Sequence, residues 1–308
     1  MGGPGVEEVS PVSAMRRLQG FRLFIQALWF ALTNGYLRGF AAGRIYQGPL
    51  KKLCVPGLNC YSCPGAYFSC PIGSLQAVLD SGRYRMSLYV LGFMGAFGLL
   101  LGRAVCGFLC PFGLVQDLLY RIPFPGKRKN LPGHGFLIRI KYLVLLFFVI
   151  ILPMSVTNLV GMGEPWFCKY ICPSGTLMAG LPLLGSNIDL RSAAGFLFRW
   201  KFLLLLLIVL LSVLYYRPFC KYLCPLGAFY GFFNRFSFYR FSISEEACIR
   251  CGKCQEACGM DIRTFESPNS MECIRCGCCR EACPTGAITS SMEELLLGIG
   301  KRKKQQGA

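Results

Sequence analysis

Long apolar runs with almost no charge fill the first three quarters of the chain. The four strongest lie at residues 23–37, 86–102, 136–156 and 202–216. The third run carries Arg139 and Lys141 near one end, where long side chains reach a membrane interface. Buried core helices give the same pattern, but four such runs favour membrane spans. Residues 173–188 are also uncharged but contain Gly and Pro, which favours an interfacial or re-entrant segment.

The composition agrees with a membrane protein. Charged residues make up 16% and hydrophobic residues 54%, with a mean hydropathy of +0.46. Soluble domains carry about 25% charge, so an ordinary soluble enzyme is excluded. The net charge is +18, and the chain has neither a basic helix nor a motif typical of nucleic-acid binding. We therefore expect contact with anionic membrane lipid and no nucleic acid.

The distribution of basic residues predicts an orientation. Four spans place both ends on one side, and segments 1–22, 103–141 and 217–240 of that side hold fourteen Lys and Arg. Segments 38–85 and 157–201 of the opposite side hold ten. This weak excess predicts that both termini face the cytoplasm, in the inner membrane of a prokaryote.

Cysteine is the residue type that indicates chemistry. The chain has nineteen Cys and one His, His134, so bis-histidine haem is excluded. The C-terminal spacing is Cys248-x2-Cys251-x2-Cys254-x3-Cys258, then Cys273-x2-Cys276-x2-Cys279-x3-Cys283-Pro284. In such paired runs the fourth cysteine of each run ligates the other cluster. This predicts cluster I at Cys248, Cys251, Cys254 and Cys283, and cluster II at Cys273, Cys276, Cys279 and Cys258. Zinc ribbons and disulfides are the alternatives, and two complete runs argue against both.

The apolar part repeats a second unit, C-x3-C-P-x-G. Complete copies begin at Cys106, Cys168 and Cys220, and an irregular copy contains Cys54, Cys60, Cys63 and Cys70. Two cysteines cannot enclose a cluster, so two copies must meet, and the parity of the spans selects the pairs. We predict an inner cluster on Cys106, Cys110, Cys220 and Cys224, and an outer cluster on Cys63, Cys70, Cys168 and Cys172, with Cys60 as the alternative to Cys63. Cys54 and Cys278 are left over. Disulfides are again the alternative.

A composition change after Ser242 marks a domain boundary. We predict an N-terminal cytoplasmic segment at 1–18, a membrane domain at 19–241, a two-cluster ferredoxin domain at 242–293 and a basic tail at 294–308. The predicted fold is an α-helical integral membrane domain of four spans in two pseudo-repeated halves, followed by a small α+β bacterial-type ferredoxin domain. Acidic residues are scarce in the membrane domain. Glu164, four residues before Cys168, is the candidate to accept a proton from quinol, although an exposed loop glutamate would look the same.

These motifs resemble a known group. C-x3-C-P repeats between apolar spans, followed by a two-cluster ferredoxin, are similar to polyferredoxin membrane proteins of the NapH/NosR/CcoG type over residues 20–290. The resemblance implies quinol-linked electron donation to periplasmic reductases, or a role in oxidase assembly. The cysteine-rich segment 53–60 departs from the nitrate-reductase type and puts transfer of that partner in doubt.

The sequence therefore predicts membrane-bound electron transfer through four [4Fe–4S] clusters, between a quinone or quinol and a protein redox partner in a multisubunit complex. The chain would be an electron-transfer subunit of a quinol dehydrogenase-like oxidoreductase. The alternative is an assembly or regulatory factor that reduces a metal or thiol while another respiratory complex matures.

Overall fold

Helices form most of the structure, a computed structural model that describes residues 11–80, 88–156, 163–192, 194–293 and 295. The helices before the third cysteine copy are Pro11–Thr33, Leu37–Ala42, Pro49–Lys52, Pro71–Asp80, Leu88–Leu101, Ala104–Phe108, Pro111–Arg121 and His134–Ser155. Those after it begins are Phe167–Ile171, Pro173–Gly175, Thr176–Gly180, Leu181–Ser186, Ile188–Ser192, Phe196–Leu214, Pro218–Tyr222, Pro225–Phe233, Lys253–Ala257 and Cys278–Glu281. Nearly all of the predicted basic tail and most of the N-terminal segment lie outside the described residues.

Two helices in the described part are long and apolar enough to cross a membrane, where the sequence predicted four. They are His134–Ser155 and Phe196–Leu214, each with a mean hydropathy of 2.4. The window at 86–102 becomes the shorter helix Leu88–Leu101. The window at 23–37 falls partly in Pro11–Thr33, which buries the polar side chains of Arg22 and Gln26. The four-span arrangement is thus supported only in part.

Four of the five cysteine-proline pairs in residues 19–241 start a helix, and Cys63-Pro64 is the exception. Helices begin at Pro71, Pro111, Pro173 and Pro225, directly after a cysteine. Proline suits the first helical position because its φ is already helical and the missing N–H has no partner there. Pro71–Asp80 packs against Leu88–Leu101, so the chain runs away from Cys70 and then back. Both helices rise 1.5 Å per residue. The ten residues of Pro71–Asp80 therefore cancel much of the distance that the fourteen residues of Leu88–Leu101 cover.

The predicted ferredoxin domain contains one small sheet. Strand Phe241–Ile243 pairs antiparallel with Ile288–Ser290, and Ser242 lies opposite Thr289. The strands join the two ends of the segment, so the nine cysteines between them lie in one closed unit. A separate, larger core extends from the membrane domain into this unit and includes Ile274 and Cys258.

Candidate functional site: four cysteine sites in a row

The ferredoxin domain forms two cavities, each lined by four cysteines. Cys248, Cys251, Cys254 and Cys283 line the first, which we call the cluster I site. Cys258, Cys273, Cys276 and Cys279 line the second, the cluster II site. The structure therefore groups the cysteines as the interleaved spacing predicts, with the last cysteine of each run crossing to the other cavity.

The backbone of both cysteine runs is coiled in the same way. Arg250 and Arg275 occupy matching places in two Cys-Ile-Arg-Cys segments and have φ of 51° and 52°. Gly252 and Gly277 follow with φ of 77° and 83°. Left-handed positions are costly for arginine and free for glycine. Their repetition shows that each loop is bent to bring its cysteines to one side.

The third site lies in the membrane domain, and we call it the Cys70 site. Its cavity of about 320 Å³ is lined by Cys60, Cys70, Cys168 and Cys172. Cys63, which the sequence favoured as the fourth ligand, does not line this cavity. The N–H of Cys63 bonds the carbonyl of Cys60 in a tight turn, and the turn leaves Cys60 at the cavity. The geometry therefore favours the alternative assignment.

The lining of the Cys70 site fits a group that accepts hydrogen bonds. Asn59 is fully buried there, and neither of its amide atoms has a partner among the described residues. The hydroxyl of Thr176, also in the lining, is likewise unpaired. Buried polar groups are nearly always hydrogen-bonded. The sulfur atoms of an iron–sulfur cluster would accept hydrogen bonds from the Asn59 NH₂ group and the Thr176 hydroxyl.

The fourth site, the Cys106 site, is formed by four buried cysteines from two distant copies. Cys106, Cys110, Cys220 and Cys224 are each 4–5% exposed. Two arginines connect the copies crosswise: Arg103 donates to the carbonyl of Cys220 at 3.2 Å, and Arg217 donates to that of Cys106 at 2.7 Å. Each arginine stands three residues before its own cysteine. The repeated R-x-x-C is a signal that the sequence prediction missed.

Buried charges surround the Cys106 site in two groups of three. Arg103 and Lys141 pair with Glu272, and Arg22 and Arg217 pair with Asp117. Each group holds two basic side chains and one acidic side chain, so the surroundings of the site are positive. A [4Fe–4S] cluster with four thiolates carries net negative charge, which such surroundings would stabilise.

Burial affects the free thiols strongly. It raises the pKa of the Cys70 thiol to about 12 and those of Cys172 and Cys220 to about 11. Metal ligation needs thiolates, so cluster insertion must displace these protons. All nineteen cysteines are described and none forms a disulfide.

The cysteine thiols are not arranged to bind single metal ions. In the described ranges, no three His, Cys, Asp or Glu side chains converge closely enough to hold one metal ion. A [4Fe–4S] cube instead needs its thiolates spread over four corners. The cavities of the Cys70, cluster I and cluster II sites are each lined by four cysteines and meet that requirement.

The Cys70 and Cys106 sites are neighbours. Leu58 lines the Cys70 cavity, and its backbone N–H hydrogen-bonds the Cys110 thiol. Tyr230 is fully buried in the same region and donates to the carbonyl of Pro56 at 3.1 Å. The predicted inner and outer cluster sites are therefore in contact through the segment that contains Leu58.

The cluster II site docks on the Cys106 site. A Cβ on Gly107 would lie 2.6 Å from the carbonyl oxygen of Ile274, which shows how closely the two loops approach. Asn234 donates to the carbonyls of Ser270 and Cys273, and Lys221 to that of Gly259. The order of sites is thus Cys70, Cys106, cluster II and cluster I.

Three residues singled out from the sequence lie beside these sites. Glu164 pairs with Lys169 at 2.5 Å and does not line the Cys70 cavity, so proton transfer at Glu164 stays a prediction that requires this pair to open. Cys54 contacts the hydroxyl of Ser74 at 3.5 Å. The Cys278 thiol hydrogen-bonds that of Cys276. Both left-over thiols are buried.

Parts of the chain match two known families of iron–sulfur binding domains. One 4Fe–4S binding domain matches residues 83–132, 141–190 and 198–243, and another matches 241–264 and 267–289. Each of the first three matches contains one complete C-x3-C-P copy. The chain therefore carries 4Fe–4S binding domains of two kinds.

Several known proteins are similar in sequence to this chain. Two uncharacterized proteins of Methanocaldococcus jannaschii are 31% and 29% identical, over 62% and 66% of this chain and 65% and 78% of theirs. The methylamine utilization ferredoxin-type protein MauN of Paracoccus denitrificans is 31% identical over 54% of this chain and 51% of its own. The chain thus spans about half of MauN and just under two thirds of the first relative. No solved structure matches.

Proposed function

We propose that the chain conducts single electrons along four [4Fe–4S] clusters, between a quinone pool and a protein redox partner. One-electron exchange is the chemistry that such clusters supply when bound. The observation that carries the proposal is the unbroken row of four sites, each provided with four cysteines. Backbone contacts between neighbouring sites, at Leu58 and at Ile274, hold the row at fixed spacing.

A membrane location is part of the proposal. Only 17% of the most apolar window of His134–Ser155 is buried within the molecule, and the same holds for Phe196–Leu214. Leu203, Leu207 and Leu210 expose more than half of their surface. Exposed apolar faces of this size need lipid or a protein partner. The excess of basic residues supports cytoplasmic termini in a prokaryotic inner membrane, and the resemblance to NapH-type proteins points the same way.

The two ends of the row differ in a way that suggests their partners. At one end, Ala179, Leu183 and Phe198 form an apolar wall of the Cys70 cavity, which suits a quinone. At the other end, Cys251 of the cluster I site is exposed. An exposed ligand lets a docking redox protein come close to the cluster. We assign quinone to the first end and the protein partner to the second.

The purified full-length protein in detergent tests the function directly. We expect about 16 iron atoms per chain, four for each cluster, and reduction of the clusters by a short-chain quinol. A content near 8 would mean that the membrane-domain sites hold no clusters. Four intact clusters that quinol does not reduce would instead favour the assembly-factor alternative.

Sharing of the Cys106 site between distant copies makes a separate prediction. Replacing Cys106 or Cys220 by alanine should remove the same electron paramagnetic resonance signal, because both thiols serve one cluster. Cys54→Ala is the matched control, since this thiol is also buried, contacts the Ser74 hydroxyl and is not assigned as a ligand. It should retain all four signals. Loss of two different signals in the two variants would contradict the shared site.

A further inference from the structure

Two glutamines occupy the same place in two cysteine copies. Residues 70–76 read Cys-Pro-Ile-Gly-Ser-Leu-Gln, and residues 110–116 read Cys-Pro-Phe-Gly-Leu-Val-Gln. Gln76 and Gln116 therefore each lie six residues after a cysteine ligand. The copies that contain Cys172 and Cys224 have Met178 and Tyr230 at this position, so each membrane-domain site receives one glutamine.

Gln76 bridges two neighbouring residues of the opposite copy in the Cys70 site. Its Nε2 donates to the sulfur of Cys168 at 3.3 Å, and its Oε1 accepts the backbone N–H of Phe167 at 3.0 Å. The same Nε2 lies 3.3 Å from the carbonyl of Ile72, one turn earlier in its own helix. The side chain is fully buried.

Gln116 repeats these contacts in the Cys106 site. Its Nε2 donates to the sulfur of Cys220 at 3.1 Å, and its Oε1 accepts the N–H of Phe219 at 3.2 Å. Nε2 is 3.4 Å from the carbonyl of Phe112, again one turn earlier. Gln116 is 1% exposed. The same set of contacts thus occurs at two separate places in the chain.

The neighbouring backbone fixes which way each amide points. A backbone N–H can only donate, so the atom that faces Phe167 or Phe219 must be the amide oxygen. The NH₂ group then faces the cysteine sulfur. Burial prevents water from replacing this donor, which makes the hydrogen bond to sulfur a permanent part of the site.

We propose that Gln76 and Gln116 separately set the reduction potentials of the clusters in the Cys70 and Cys106 sites. This inference rests on the proposed function, because it requires clusters at both sites. One-electron reduction adds negative charge to a cluster and its thiolates. A hydrogen bond to a ligand sulfur stabilises the more negative form and therefore raises the potential.

Redox titration of full-length variants, followed by electron paramagnetic resonance, tests the inference. Gln76→Met and Gln116→Met keep the length of the side chain and remove the donor. We expect each variant to lower the potential of one cluster, a different one in each case, and to keep the iron content. A roughly tenfold change in the one-electron reduction equilibrium corresponds to about 59 mV.

Gln26→Met is the matched control. Gln26 is 1% exposed, and its amide has no hydrogen-bond partner in the part of the chain that the structure describes, so its replacement should shift no potential. Unchanged potentials in both test variants, or a shift of the same cluster in both, would overturn the proposal. If a methionine variant loses its cluster, the corresponding leucine variant is titrated instead. Loss of the cluster in both variants would overturn the proposal, because the glutamine would then serve only to pack the site. A wild-type protein without these two clusters would refute the proposed function itself.

Discussion

Replacing Arg217 by methionine should destabilise the protein by about 1–3 kcal/mol, the usual cost of removing a buried hydrogen-bonding partner, because Asp117 keeps its ion pair with Arg22. Arg217 is fully buried and binds Asp117 through two contacts, Nε–Oδ1 at 2.7 Å and Nη2–Oδ2 at 2.5 Å. The same guanidinium also holds the carbonyl of Cys106. We therefore expect the variant to lose the cluster of the Cys106 site and to keep cluster I. Thermal unfolding and iron analysis measure the two effects.

The matched control is Arg235→Met, which removes an exposed arginine two residues after the helix Pro225–Phe233. Surface substitutions usually change stability by less than about 0.5 kcal/mol, so all four signals should remain. An Arg217→Met protein with normal stability and a normal Cys106-site signal would contradict the assigned role of the crosswise contacts.

Substituting Gly107 by alanine should separate the ferredoxin domain from the Cys106 site. The added Cβ would meet the carbonyl oxygen of Ile274 at 2.6 Å, and a backbone atom cannot move away as a flexible side chain can. Such overpacking costs about 1–3 kcal/mol. We expect all four clusters to be present but electron transfer from the Cys106 site to cluster II to be slower, as measured by rapid-mixing reduction.

Gly95→Ala provides the control for this experiment. Gly95 lies in the helix Leu88–Leu101, and a Cβ there would have nothing within 4 Å. Alanine in a helix interior is favoured over glycine by roughly 0.5–1 kcal/mol, so stability should rise slightly and the transfer rate should not change. Equal rates in the Gly107 and Gly95 variants would show that electrons do not pass through this contact.

The ferredoxin domain could be grouped correctly from the sequence because its ligand spacing is short and regular. Each run wraps one site, and only Cys258 and Cys283 cross between sites, so little depends on the rest of the fold. The pairing of membrane-domain copies was also predicted, since Cys106 and Cys220 do meet. The parity of the apolar runs gave this pairing, although only two of those runs lie in described helices that are both long and apolar enough to cross a membrane.

Other features could not be read from the spacing. Cys60 and Cys63 are three residues apart, and only the turn between them shows which one reaches the cavity. The closeness of the two membrane-domain sites depends on how the segment around Leu58 folds inward. The roles of Arg217 and Gln116 were visible as short repeats in the sequence. Their function became clear only from the structure, in which each side chain contacts a cysteine of the other C-x3-C-P copy.

The crosswise construction of the Cys106 site also constrains how the protein can be made. Cys220 follows Cys106 by 114 positions, and ribosomes add about 5–20 residues per second. The early thiols therefore wait roughly 6 to 23 s for their partners to be synthesised. Cluster I, whose cysteines all lie within 248–283, needs no such delay. Completion of the Cys106 site is consequently a late step of biogenesis, and its early thiols must stay reduced until the later copy has been made.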